Sequence, residues 1–102
     1  MQKESLNLQA QHAEIQLSGQ VKQALSELEK LAANRRYYQL EALPNAELVL
    51  KQAQIALQKG EIAYTDFLVH VQQALQVRMG NIQAISEHNQ VIHQLEFLLG
   101  NN

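Results

Sequence analysis

The chain has no cysteine, no tryptophan, one proline and four glycines in 102 residues. Without cysteine it has no disulfide and no thiol chemistry, a condition that suits cytosol and periplasm alike. With so little proline and glycine, turns are scarce, and the residues must be spent on a few long elements. Neither sign of charge dominates: eight basic residues face ten acidic ones, for a net charge of -2, and the basic ones are scattered. Such a surface has no field for holding phosphates, which argues against nucleic-acid binding. No apolar run approaches the ~18 residues that would span a bilayer, so this segment itself is not expected to touch a membrane. The start, MQKESLNLQAQ, lacks the apolar centre of a secretory signal.

What the chain does have is a 46% hydrophobic fraction, ordinary for a folded domain, and abundant glutamine. From Leu6 the apolar residues Ala10, Ala13, Leu17, Val21, Ala24, Leu28 and Leu31 follow in steps of three and four. That spacing puts them on one stripe of a helix. The stripe continues through Arg35 to Tyr38, whose long side chains can bury their stems and expose their tips. Pro44 interrupts: it lacks an amide hydrogen, and its ring crowds the carbonyl of Leu40, so the helix kinks or restarts there. Periodicity resumes at once with Ala46, Val49, Ala53 and Leu57, with Glu47 and Lys51 placed to support each other at i,i+4. No cluster of turn residues surrounds the proline, which favours a kinked continuation over a clean break.

Gly60, preceded by Lys59, is the expected stop, since glycine suits a left-handed helix cap and a cation suits a helix C-terminus. Thr65 is the expected N-cap of the next helix, with Asp66 in its first turn. Tyr64 and Val69 would then form a hydrophobic staple. That helix carries Leu68, Val71, Leu75, Ile82, Ile85, Ile92, Leu95 and Leu99 and ends at Gly100. Gly80 inside it costs ~1 kcal/mol relative to alanine, and is either a tolerated flaw or a point of close helix–helix approach.

The expected fold class is therefore all-α: a long, coiled-coil-like antiparallel hairpin. One helix covers about 3–59 with a kink at Pro44, the tip 60–65, and a second helix about 66–99. If Lys59 faces Asp66, partner residues have numbers summing to about 125. Gly100 then lies near Leu25, and the first twenty or so residues keep an apolar stripe with no partner in the chain. A two-helix hairpin also buries only one face of each helix and cannot enclose a core. Both features predict that the hairpin is a piece of a larger helical assembly, a bundle or barrel.

Catalytic constellations are not apparent. The histidines are His12, His70, His88 and His93; the last two, five residues apart, are separated by ~140° around a helix and cannot face one ligand. Solvated or interfacial imidazoles are the expected reading, with no metal site and no cofactor. There is no phosphate loop, no G-x-S-x-G and no H-E-x-x-H. Arg78 and Asn89 sit on or beside the apolar stripe of the second helix. They either reach its edge and stay hydrated or fix the register between helices, as buried polar residues do in coiled coils. The glutamine-rich faces are either simply solvated or suited to line a water-filled passage.

The segment GEIAYTDFLVHVQQALQVRMGNIQAISEHNQVIHQLEFLLG resembles the final hairpin of the outer-membrane efflux proteins. This is the TolC family, and the likeness is to its CzcC- and CusC-like heavy-metal branch. The residues that carry it are Gly60-Glu61-Ile62, Tyr64, Phe67-Leu68, Arg78, Asn89-Gln90, Leu95-Glu96 and Leu99-Gly100, with Tyr38, Leu43-Pro44, Ala46 and Ala53 upstream. His88 stands where the family often has tyrosine, and the leucine spacing near Asn81 is weaker than usual.

The resemblance implies a non-enzymatic conduit wall, a trimer in the full-length protein, and a partnership with a periplasmic adaptor and an inner-membrane transporter. It also implies a periplasmic location, with the tip residues Gly60, Glu61, Ile62 and Tyr64 meeting the adaptor. Strand segments for a membrane pore are absent here, so the resemblance implies an excerpt of a larger protein, either an outer-membrane channel or a transporter carrying such a hairpin as a fused extension. The alternative from another class is a self-contained coiled-coil scaffold or chaperone.

Overall fold

The computed structural model describes the backbone of residues 2–100 and the side chains of residues 7–100. Leu6, the first position of the expected stripe, has its side chain outside the described residues. Helix α1 spans Gln2–Tyr37, a π turn Tyr38–Ala42, helix α2 Leu43–Gln58 and helix α3 Tyr64–Leu98. The first two helices and the π turn form one continuous path, and α3 returns antiparallel along it, packing on α1, the π turn and α2. The expected helical hairpin is what forms. Among the described residues no helix is long and apolar enough to cross a membrane.

The tip is built by backbone chemistry. Gly60 adopts φ +73°, the left-handed region. Its amide donates to the Leu57 carbonyl at 3.1 Å while the Glu61 amide donates to Ala56 at 2.8 Å. These paired bonds are a Schellman cap, which satisfies carbonyls that α2 would otherwise leave open. The entry to α3 differs from expectation. Its N-cap is Ala63, extended at φ -76° and ψ 156°, with no side-chain cap, so Thr65 lies inside the first turn. The Phe67 amide closes that turn on the Ala63 carbonyl at 3.1 Å. With Ala63 as cap, the staple positions pass from Tyr64 and Val69 to Ile62 and Phe67, and both of these are half-buried. Asp66 remains in the first turn, where an acid is favoured.

The seam between the helices follows a strict alternation of three- and four-residue steps. On α3 it runs Phe67, His70, Ala74, Val77, Asn81, Ala84, His88, Val91, Leu95 and Leu98, each buried or half-buried. On α1 it runs Val21, Ala24, Leu28, Leu31, Arg35 and Tyr38, and beyond the π turn Ala46, Val49, Ala53 and Ala56. Alanines dominate the buried set: Ala24, Ala53, Ala74 and Ala84 join Val91 and Leu95. Small side chains let two helix axes approach toward the lower end of the usual ~8–10 Å range. The upper core gathers Ala24, Val91 and Leu95 with Val21, Leu28, Leu31 and Leu98 around them.

This seam corrects the expectation for the second helix. Leu68, Val71, Leu75, Ile82, Ile85, Ile92 and Leu99 are not the central line against the first helix; they lie one residue further round α3, exposed or half-buried, and Ile82 is 66% exposed. Leu95 alone of that stripe is in the core. A one-residue offset is a rotation of ~100°, enough to carry the whole set onto the adjacent face.

Pro44 neither breaks nor simply bends the path. The Leu43 amide bonds to the Tyr38 carbonyl, an i→i−5 link, and Pro44 follows at the start of α2. In a regular α-turn the proline ring would press on the Leu40 carbonyl. A wider turn moves that carbonyl aside without ending the helix.

Candidate functional site: two unlike faces and a tip

Because the helices are antiparallel, positions one residue past each seam residue point to the same side of the hairpin. The pair Glu47 and Arg78, each one past a seam alanine or valine, proves the geometry. Arg78 Nε donates to Glu47 Oε1 at 2.7 Å and Nη2 to Oε2 at 2.8 Å. Arg78 therefore ties α2 to α3 from the surface, and Glu47 turns to it across the hairpin instead of to Lys51 along the helix. The hydrogen bond from Arg78 is the main cause that holds the Glu47 carboxyl below the usual carboxylate range; the same bond raises Arg78.

Around this ion pair lies an apolar face. It comprises Leu43, Leu50 and Leu57 from α2, seven residues apart, and Leu68, Val71, Leu75, Ile82 and Ile85 from α3. The α3 contribution is itself a second helical seam, since Leu68, Val71, Leu75, Arg78, Ile82, Ile85, Asn89 and Ile92 again alternate in steps of three and four. Asn89 is exposed on that face. An α3 with two seams ~100° apart can satisfy only one of them within a hairpin.

The opposite side of the hairpin is mixed. Glutamines recur on it, Gln73, Gln76, Gln83, Gln90 and Gln94 from α3 and Gln20 and Gln23 from α1, among the charged Glu27, Lys30, Asp66 and Glu87. It also exposes Leu48, Ile55, Val69 and Phe97. A cleft of about 250 Å³ opens there beside the π turn, lined by Tyr37, Asn45, His70 and Gln73 with Ala46 and Val49 at its floor.

The four histidines do not converge. His12 Nε2 meets the Gln16 amide at 3.2 Å, and His93 Nδ1 lies 3.5 Å from Glu96. His88 sits in the seam, its Nδ1 3.0 Å from Arg35 Nη1. A guanidinium can only donate, so Nδ1 accepts and is unprotonated in this pairing. His70 Nδ1 is buried without a hydrogen-bond partner. Among the described residues no group of three or more His, Asp or Glu is gathered in a way that could hold a metal ion.

At the tip Gly60 and Glu61 are exposed, Ile62 is half-buried and Tyr64 is 63% exposed. Tyr64 leans on Phe67, ring centroids 6.3 Å apart. At the other end, residues 7–20 of α1 are exposed throughout, and packing begins at Val21. Leu8, Ile15 and Leu17 are therefore open to solvent. The chain matches no protein-family model, no curated protein and no solved structure at a significant level.

Proposed function

We propose that this hairpin is a wall element of a periplasmic efflux conduit, of the kind formed by the outer-membrane efflux family that its sequence resembles. The observation that carries the reading is the uncovered second seam of α3, Leu68 to Ile92, on a hairpin whose other side carries a recurring line of glutamines. A helix with two adjacent seams builds a layer of helices, each gripping a neighbour on either side. In such a layer the apolar face meets further helices of the same protein, a trimer in the full-length family, and the open stretch of α1 finds partners there as well. The glutamines of the other side are left to water.

On this reading transport depends on assembled walls and on movement of the tips, with no bond chemistry in the hairpin. The cargo is metal ions or drugs, and the partners are a periplasmic adaptor and an inner-membrane transporter. Gly60, Glu61, Ile62 and Tyr64 make the adaptor contact. Ile62, half-buried at a staple position, shapes the tip, and Tyr64 offers the larger exposed surface.

The test is to replace Tyr64 with aspartate and Gly60 with a bulky residue in the full-length protein, then measure efflux and cross-linking to the adaptor. Loss of both supports the reading; unchanged efflux and cross-linking contradict it. Coding sequence on either side of the hairpin offers a second check, since alternating ~10-residue strand patterns mark a membrane β-barrel. Flanks without such patterns, or a fusion to a transporter, would separate the scaffold and fused-extension alternatives.

A further inference from the structure

The two sides of the hairpin are weakest at the same level. On one side the π turn Tyr38–Ala42 replaces regular α-helix. On the other, Gly80 interrupts α3, and the Tyr38 ring covers it so closely that a Cβ there would stand 2.6 Å from the Tyr38 hydroxyl and 2.8 Å from its ring carbons. The π turn also holds a surplus residue. From Ala24 to Tyr38 the seam takes fourteen residues, matched by fourteen from Ala84 to Leu98. From Ala46 to Ala53 it takes seven, matched by seven from His70 to Val77. Across the π turn, Tyr38 to Ala46 takes eight against seven from Val77 to Ala84.

Each half also has its own polar tie across the seam. Arg35 and His88 close the upper half at 3.0 Å, and Glu47 and Arg78 close the tip half at 2.7 Å. Among the described residues no other side-chain hydrogen bond joins the two helices. A widened turn and a glycine, facing each other between two clasped segments, are the parts of a joint.

We propose that the level of Tyr38–Ala42 and Gly80 is a hinge, about which the tip half, from Leu43 to Met79, swings as a unit relative to the upper half. The Tyr38 ring is its bearing: it fills the space that Gly80 leaves and can slide over a surface without a side chain. The hinge belongs to the hairpin itself and stands whether or not the hairpin lines a conduit.

The test uses the whole chain, which has no cysteine of its own. Spin labels at Ser26→Cys and Gln52→Cys, both exposed, straddle the π turn. A straightened variant deletes Gln39, the surplus residue, and adds Pro44→Ala. The distance distribution between the labels should be at least twice as broad in the parent chain as in the straightened one. Circular dichroism should show the straightened variant to be as helical as the parent, whereas deleting Gln52 instead should cost much of the helix.

Hydrogen exchange gives a second reading: the amides of Leu43 and Gly80 should exchange at least tenfold faster than those of Ala53 and Val91. Equal label widths in the two chains, or uniform exchange along the seam, would overturn the hinge. So would unfolding caused by the Gln39 deletion, because the residue would then not be surplus.

Discussion

The hydroxyl of Tyr38 occupies the space beside Gly80 in which any other residue would carry its side chain, 2.6 Å from where a Cβ would be. Glycine in a helix interior normally costs about 1 kcal/mol against alanine, so Gly80→Ala would stabilise an isolated helix. Here it must displace an aromatic ring, and it should lower the urea midpoint. Gly19, which has nothing within 4 Å of its built Cβ, is the control. Gly19→Ala should raise helicity, and Gly80→Ala should turn from harmful to helpful once Tyr38→Ala has removed the ring. Equal effects of the two glycine substitutions in the parent chain would refute the contact.

The Glu47–Arg78 pair gives a pH dependence of defined sign. The folded-state pKa of Glu47 is lowered, chiefly by the Arg78 hydrogen bond. Its contribution is therefore complete above the ordinary carboxylate range and is lost as the pH falls through the depressed value. Both side chains are close to half exposed, 46% and 45%, so the effect is small and screened by salt. In low salt, Glu47→Gln should flatten the fall in urea midpoint between neutral and acid pH. Identical acid limbs for parent and variant would count against the pair.

At the tip, Gly60 holds φ +73°. A Cβ in the left-handed region costs about 1–2 kcal/mol, so Gly60→Ala should lower stability by about that much and Gly60→Asn by less. Space is not the issue, since nothing lies within 4 Å of a built Cβ. Thermal unfolding at fixed protein concentration decides it, and an alanine variant as stable as the parent would show that the Schellman cap is dispensable.

The seam and the apolar face should respond in opposite ways to substitution. Ala84 is 1% exposed between closely approached helices, so Ala84→Leu overpacks the seam and should cost about 1–3 kcal/mol. Ile82, two residues earlier, should accept glutamine with little change in the stability of the chain by itself. Urea titration of both variants checks the pair, and the reverse ranking would place the seam where the sequence first suggests it.

Much of this architecture was legible in the sequence. The stop at Gly60, the stripe from Val21 to Tyr38 and the unpartnered start of α1 follow from spacing alone, and so does the register. Glu47 meets Arg78 and Arg35 meets His88, numbers summing to 125 and 123 where about 125 is expected. The face that α3 turns inward differs from the expected one for a physical reason. Leu75, Ile82 and Ile92 look like a core, whereas the middle of the seam is Ala74, Val77, Asn81, Ala84 and His88. Close packing selects small side chains, which a hydrophobicity count ranks low.

Other features leave fainter traces. The π turn shows in the sequence only as a stretched step ahead of Pro44. Thr65 has the chemistry of a cap, but the extended residue that begins α3 is Ala63. Of the two register candidates on the α3 stripe, Arg78 does join the helices, at Glu47, whereas Asn89 is exposed. The two-sidedness of the hairpin became visible only once the antiparallel pairing fixed which positions share a side.

The uncovered second seam carries the whole account, and sedimentation equilibrium tests it most directly. The parent chain should self-associate in a concentration-dependent way, and Leu75→Lys with Ile82→Lys should give a monomer of undiminished helicity. A parent chain that stays monomeric at high concentration, or a double variant that associates as strongly as the parent, would contradict it.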